Sequence, residues 1–326
     1  MVRSVAHSWA PLRLLSQAQA ARLEEARRLF ARTGVEIVSD GAKDDGTETH
    51  TEGARHLGAA VGSDAFKAAF VANKVQGWVD SVHELSKIAA SEPQAAFAVF
   101  THCLQGRWTF LSRCVPGLSA LLRPLEDAIR LVFLPALLRR HLSDKEREIF
   151  SLPARFGGMG ITNPAENCEN AHKCSLLLSE PLVDLVLRQE SSFDPADLND
   201  ETTTLKKQLD CDREDACKAK FEGLYTRVNP MLQVSLKVAR EKGASSWVTA
   251  CPLFDHDTVL NKGEFVDAVY IRYGWTIPDL PLNCVCGSAF SVQHALDCMI
   301  GGYRTIQHNE VRRGGKTDEG SRSHCC

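Results

Sequence analysis

Four side chains with metal-ligand chemistry crowd into fifteen residues near the C-terminus, "CVCGSAFSVQHALDC" from Cys284 to Cys298. The pattern is Cys-x-Cys, seven residues, then His-x-x-x-Cys. Thiolate and imidazole are the donors that a structural zinc ion selects, four at a time and in a tetrahedron. His294 and Cys298 are four apart, so a helix would stack them on one face, one turn from each other. Cys284 and Cys286 require a tight turn, and Gly287 relieves the backbone as it folds toward the ion. Phe290, Ala295 and Leu296 can supply a small apolar backing. The spacing therefore predicts a structural Zn2+ site made of Cys284, Cys286, His294 and Cys298. Four protein ligands would leave no open position for a hydrolytic water. Cys325 and Cys326 are the competing thiols, at the end of a polar tail.

Other constellations offer less chemistry. Asp44-Asp45 in "KDDG" are adjacent carboxylates, but polar residues flank them where a Mg2+ site for phosphate chemistry needs buried strands. "RFGGMGI" lacks the Lys and Ser/Thr of a phosphate loop and reads as a turn between helices. His56, His83, His102 and His172 have no partner at triad-like spacing, and no nucleophile motif appears.

The elements that must position these residues are mostly helical. Of 326 residues, 44% are hydrophobic and 24% charged, with a net charge of -3. That composition excludes a global basic field and leaves local segregation of charge as the route to polyanion binding. Arginines gather between Arg107 and Arg155, and acids between Glu190 and Glu222. Two solvated faces of opposite sign, or a phosphate-binding strip, would each produce this pattern. The 12 cysteines fall mainly in apolar helical stretches, where a thiol packs as a small hydrophobe and implies a reducing compartment. No apolar run reaches the roughly 18 residues of a membrane span. Met1–Arg22 is Arg-bearing and acid-free, a faint likeness to a mitochondrial presequence that ends at "LEEARRLF". An intracellular address, nucleus or cytoplasm, is expected.

Along the chain, helical periodicity from Leu15 to Leu29 stops at Gly34. Val35–Val38 and "RHLGAAVG" read as two short strands of a hairpin with a polar tip between them. A long helix capped by Ser63 or Asp64 places Phe66, Phe70, Val71, Val75, Trp78, Val82, Leu85 and Ile88 on one wide face. Pro124 and Pro135 mark kinks or breaks. "SDKE" (Ser143–Glu146) and Asn261 with Glu264 are capping boxes, and Gly274 ends the helix whose buried side is Phe265, Val266, Val269, Tyr270 and Tyr273. The predicted fold class is mainly α: a helical bundle with a small N-terminal β-hairpin and a C-terminal zinc knuckle.

Several landmarks follow one another in order: "GARHLGAAVGS", "KVQGWVDSVHELSKIAASEPQAAFAVFTHCLQGRWTFLSRCVP", "LPARFGGMGITNP", "FVDAVYIRYGW", "CVCGSAFSVQHALDC" and "QHNEVR". In that series the chain resembles the C-terminal half of reverse transcriptases from non-LTR retroelements, from about Leu29 to Arg312. The resemblance implies a residual palm edge with a primer-grip-like hairpin (1–62), a helical thumb-like domain (63–189) and an acidic linker (190–201). A helical linker domain (202–280), a knuckle segment (281–312) and a disordered tail (313–326) would follow. It implies that Arg55 and His56, with Leu57-Gly58, match the strand-turn that grips the primer end. It also implies that the thumb helices hold a template–primer duplex through phosphates. Arg107, Arg113, Arg139 and Arg140 are the candidates for those contacts, which would be weak and salt-dependent with RNA or DNA.

The departures are equally specific. The family's Mg2+-binding aspartates lie upstream of the primer-grip strand, Gln307 stands where the family has arginine before His308-Asn309, and "GGKTDEGSRSHCC" stands where an endonuclease begins. The expectation is a truncated, catalytically inactive relative with residual nucleic-acid binding. The rival expectation is a non-catalytic protein-interaction or structural remnant bearing a zinc knuckle.

Overall fold

The computed structural model describes residues 53–187 and 194–300, together with Arg28. The expectations for Met1–Arg22, the helix of residues 15–29, Val35–Val38, Asp44-Asp45, Gln307-His308-Asn309 and Cys325-Cys326 fall outside the described residues. The chain divides into two compact units, Met1–Gly274 and Trp275–Cys326.

The first unit opens with β1 (Gly53–His56) and β2 (Ala59–Gly62), antiparallel with Arg55 opposite Ala60. This corrects the strand reading: "RHLGAAVG" is not one strand but folds back on itself. The reversal is made by Leu57 (φ 48°) and Gly58 (φ 92°), both left-handed as a two-residue hairpin turn demands. Leucine offers no sequence signal for such a turn, because its Cβ disfavours that conformation.

Helix α1 (Asp64–Ala89) begins where Ser63 accepts a hydrogen bond from the Phe66 amide at 3.1 Å. Its buried stripe is Val71, Val75, Trp78, Val82, Leu85 and Ala89. At about 100° per residue these lie within roughly 40° of one line, whereas Ile88 lies about 100° off it. Ile88 is accordingly exposed, a correction to the single wide face. Phe66 and Phe70 lie on the same side of the stripe as Ile88, about 140° and 100° off it, yet are half-buried; Phe66 packs beneath the hairpin at Gly53.

Next come α2 (Pro93–Val99), a π-turn (Phe100–Leu104), α3 (Gln105–Cys114), α4 (Arg123–Ala128), a second π-turn (Ile129–Phe133) and α5 (Leu134–Leu138). Pro124 starts α4, but Pro135 breaks nothing. The π-turn just before it widens the helix, so the missing N–H and the ring of Pro135 are accommodated without a stop. Phe100 and Phe133 stack at 4.6 Å, with Trp108 and Trp78 packed alongside, and this aromatic group centres the core.

Helices α6 (Asp144–Ser151), α7 (Pro164–Leu187), α8 (Pro195–Tyr225), α9 (Pro230–Ala239), α10 (Ser246–Thr249) and α11 (Lys262–Tyr273) complete the first unit. Both capping boxes form as read, at Ser143/Glu146 and Asn261/Glu264, and Gly274 closes α11 in the left-handed conformation. The acid-rich stretch after Asp194 is the first two turns of α8. Asp194 accepts from the Ala196 amide, and acids suit that end of the helix dipole. Helices on both sides of residues 190–201 share one core: Phe97 packs on Phe265, and the Tyr270 hydroxyl donates to the Leu138 carbonyl.

One buried ion pair locks α4 to α6. Arg147 donates to both Glu126 carboxylate oxygens at 2.7 Å and to the Ile161 carbonyl at 2.7 Å. Burial pushes the Glu126 carboxyl above its usual range, and Arg147 opposes that shift without reversing it. The pair thus costs desolvation, so its value shows when one member is lost. Arg147→Met is expected to lower stability by about 3 kcal/mol in denaturant titration. Glu126→Leu added to Arg147→Met is expected to recover part of the loss, because no uncompensated charge then remains.

The turn "LPARFGGMGITNP" is held from two sides. Gln105 of α3 donates to the Gly160 carbonyl and accepts from the Thr162 amide. Arg272 of α11 donates to the Ala154 and Gly158 carbonyls at 3.2 Å, and the Tyr273 hydroxyl donates to the Gly157 carbonyl at 2.9 Å. Two landmarks more than a hundred residues apart in the sequence are therefore one packing unit.

Tyr273 is fully enclosed, and burial pushes its phenol up to about 12 against the opposing pull of Arg272. An acid with a raised folded-state pKa contributes fully below its unfolded value and loses that contribution as pH rises through the window from about 10 to 12. Stability is expected to fall by on the order of 2 kcal/mol across that window through this group. Tyr273→Phe should remove this part of the alkaline loss, measured as the difference between the two proteins' pH–stability curves.

Candidate metal centre and basic face

The described part of the second unit, residues 275–300, builds the knuckle from a turn and a short helix. Asn283 bridges Ala289, the Cys284 amide donates to the Ser288 carbonyl, and Phe290 donates to Leu282. Gly287 closes the turn at φ 85°, donating its amide to the Cys284 carbonyl. The turn therefore brings Cys284 and Cys286 together as the spacing required. Helix α12 (Val292–Asp297) is capped by Ser291, which accepts from the His294 amide. Cys298 is its C-cap residue, with its amide bonded to the His294 carbonyl, so the two ligands sit one turn apart.

The four donor atoms lie within 4.8 Å of one another. Cys284 Sγ is 3.6 Å from Cys298 Sγ, and Cys286 Sγ is 3.1 Å from His294 Nε2. Metal–sulfur bonds of about 2.3 Å in a tetrahedron put two sulfurs about 3.8 Å apart, so the observed edges fit a single ion. The protonation chemistry fits as well. Hydrogen bonds from Ser288, then from Cys284 and His294, hold the Cys286 thiol down to about 6 against the effect of burial. For Cys284 the Cys286 amide pulls downward, but burial and the neighbouring thiols outweigh it and the net shift is upward. Two adjacent thiols resist ionising together, and a divalent cation between them removes that conflict. Among the described residues this is the one group of three or more His, Cys, Asp or Glu side chains that could hold a metal ion.

The cationic candidates do not form one surface. Arg107 and Arg113 lie on α3 with Phe110 between them, spread over about 9 Å of helix. A Cβ placed at Gly58 would lie 3.4 Å from the Phe110 ring, so the hairpin turn rests beside this part of α3. Arg55 is exposed on β1, and His56 is half-buried next to the turn. Arg139 stands elsewhere, exposed in the left-handed C-cap of α5, and Arg140 is paired with Glu146 at 2.9 Å. Arg107 also lines a groove of about 460 Å³ that contains Asp80 and Glu84. The arginine-rich and acid-rich segments partly neutralise each other. Arg155 pairs with Glu214, while Arg130 pairs with Asp144 and Arg147 with Glu126. Among the described residues, Arg55, Arg107, Arg113 and Arg139 are exposed and make no ion pair.

Among the described residues, His56, His83, His102 and His172 make no triad. His172 meets the Arg113 carbonyl through Nδ1, which is a structural tie between α7 and α3. Sequence reasoning missed Ser288, which lowers the Cys286 thiol, and Ser291, which caps the helix that carries His294. Ser291, three residues before His294, was the available capping signal. No described helix is long and apolar enough to cross a membrane.

Compared with known proteins, the chain matches no protein-family model, no curated protein and no solved structure.

Proposed function

We propose that this protein is a nucleic-acid-binding relative of the reverse-transcriptase thumb region, carrying a structural zinc knuckle and acting by binding rather than by catalysis. The observation that carries the reading is the meeting of the hairpin turn at Gly58 with Phe110 of α3, which brings the hairpin that carries Arg55 and His56 against the helix that carries Arg107 and Arg113. Exposed cations supply phosphate contacts, and Phe110, 46% exposed between two of them, offers a face for an unpaired base. Zinc is the ion that three thiols and one imidazole select, held by Cys284, Cys286, His294 and Cys298. Such a closed set supplies folding energy and leaves no position for substrate.

Fluorescence anisotropy with single-stranded and duplex RNA and DNA tests the binding. Affinity should be weak, and its logarithm should fall linearly with the logarithm of salt concentration. Arg55→Ala with Arg113→Ala should lower that slope by about 2, and Phe110→Ala should cost about 1–3 kcal/mol on single strands. Absence of binding at low salt would overturn the proposal, as would nucleotide incorporation in a primer-extension assay.

A second reading rests on the knuckle itself. Residues 275–300 contain no Lys or Arg, and Leu282, Val285, Met299 and Ile300 are exposed there. That surface suits contact with another protein better than contact with phosphate.

A further inference from the structure

The four donors of the knuckle divide into two contacting pairs. Cys284 Sγ meets Cys298 Sγ at 3.6 Å, while Cys286 Sγ meets His294 Nε2 at 3.1 Å. Ser288 also hydrogen-bonds Cys286, so that thiol is engaged away from the sulfur–sulfur edge. The Cys284–Cys298 edge joins the turn to the end of α12, across fifteen residues of chain. It is about 1.5 Å longer than a disulfide bond, a gap that rotation of two side chains closes. A Cys284–Cys286 bond would instead close across a single residue, and strained disulfides are the labile ones.

We propose that Cys284 and Cys298 are a site of reversible oxidation, at which a peroxide converts the two thiolates to a disulfide and zinc is released. The proposal rests on the zinc knuckle of the proposed function. Cys284 is half-buried and Cys298 only 5% exposed, so a small peroxide reaches Cys284 first. The Cys284 thiolate attacks one peroxide oxygen, the O–O bond breaks, and hydroxide leaves behind a sulfenic acid. The Cys298 thiolate attacks that sulfur, the S–O bond breaks, and a second hydroxide departs. Two protons from solvent turn both hydroxides into water. The two sulfurs have given up two electrons and the peroxide has accepted them. Cys286 and His294 remain as donors, too few to hold a zinc ion.

The oxidised knuckle therefore differs from a chelated one. Its disulfide ties the turn to α12 across the span the metal held, so the loop stays closed. Metal and disulfide are alternative cross-links of one segment. In a reducing compartment such a disulfide is transient, as redox-sensing disulfides are.

The test takes the full chain with Cys103, Cys114, Cys211 and Cys251, exposed thiols outside the knuckle, replaced by serine. Hydrogen peroxide is added to the zinc-loaded protein. One zinc per chain should be released to a colorimetric chelator, and peptide mapping should find a Cys284–Cys298 disulfide. Hydrogen exchange should show α12 still protected, and dithiothreitol with zinc should reverse all three. Cys286→Ser should form the same disulfide and gain protection on oxidation, whereas Cys284→Ser should do neither. A chain that binds no zinc in reductant refutes the metal centre and this proposal together. Zinc that binds but survives peroxide, or leaves with any other linkage, overturns this proposal and leaves the metal centre standing. Protection lost on oxidation as fully as on chelation overturns it too.

Discussion

Chelation of the metal is expected to unfold residues 282–298 while the helical body stays folded. Between Trp275 and Ile300 a single residue, Cys298, is buried, so these described residues supply no hydrophobic core for the knuckle to fall back on. A turn and a helix of six residues lie far below the length at which local hydrogen bonds sustain themselves. Binding of structural zinc to such sites is worth on the order of 10 kcal/mol near neutral pH, nearly all of it folding energy. In amide hydrogen exchange, peptides spanning Cys284–Cys298 should lose protection on treatment with a strong chelator, while those from α1 and α11 keep theirs. Cys298→Ser and Cys286→Ser should each abolish the one-to-one zinc stoichiometry. If protection across the knuckle is the same with and without chelator, the metal centre is refuted.

Gly158→Ala is expected to cost about 4 kcal/mol or more, enough to unfold a protein of ordinary stability. A methyl group there would sit 1.9 Å from the Leu152 carbonyl oxygen and 2.6 Å from that of Ile149. Both obstacles are backbone, so no side chain can swing aside. The segment is also fixed: Gly158 donates to Pro153, Gly160 to Leu152, and Arg272 grips the Gly158 carbonyl. Gly160→Ala is the control, since nothing lies within 4 Å of a Cβ there and only its left-handed φ of 70° opposes the change. That should cost about 1 kcal/mol. Equal melting temperatures for the two variants would contradict this account of the turn.

What was legible in advance was what local chemistry decides. Ser143 with Glu146, and Asn261 with Glu264, cap their helices through bonds spanning three residues, so the residue types suffice. The ligand spacing of the knuckle worked for the same reason, since a hairpin and one helical turn bring Cys284, Cys286, His294 and Cys298 together without help from distant elements. The reversal at Leu57-Gly58 stayed hidden because leucine is an improbable occupant of its conformation.

Sequence alone determined the predominance of helix, the helix caps at Ser143 and Asn261, and the four side chains of the candidate metal centre. These follow from interactions within a few residues, whose energies do not depend on the rest of the chain. Tertiary structure alone decided that Ile88 faces outward, that Arg147 is sequestered by Glu126, and that Gly158 must have no side chain. Each is a matter of which distant segment occupies the neighbouring space, and close packing makes that a property of the whole body rather than of any stretch within it.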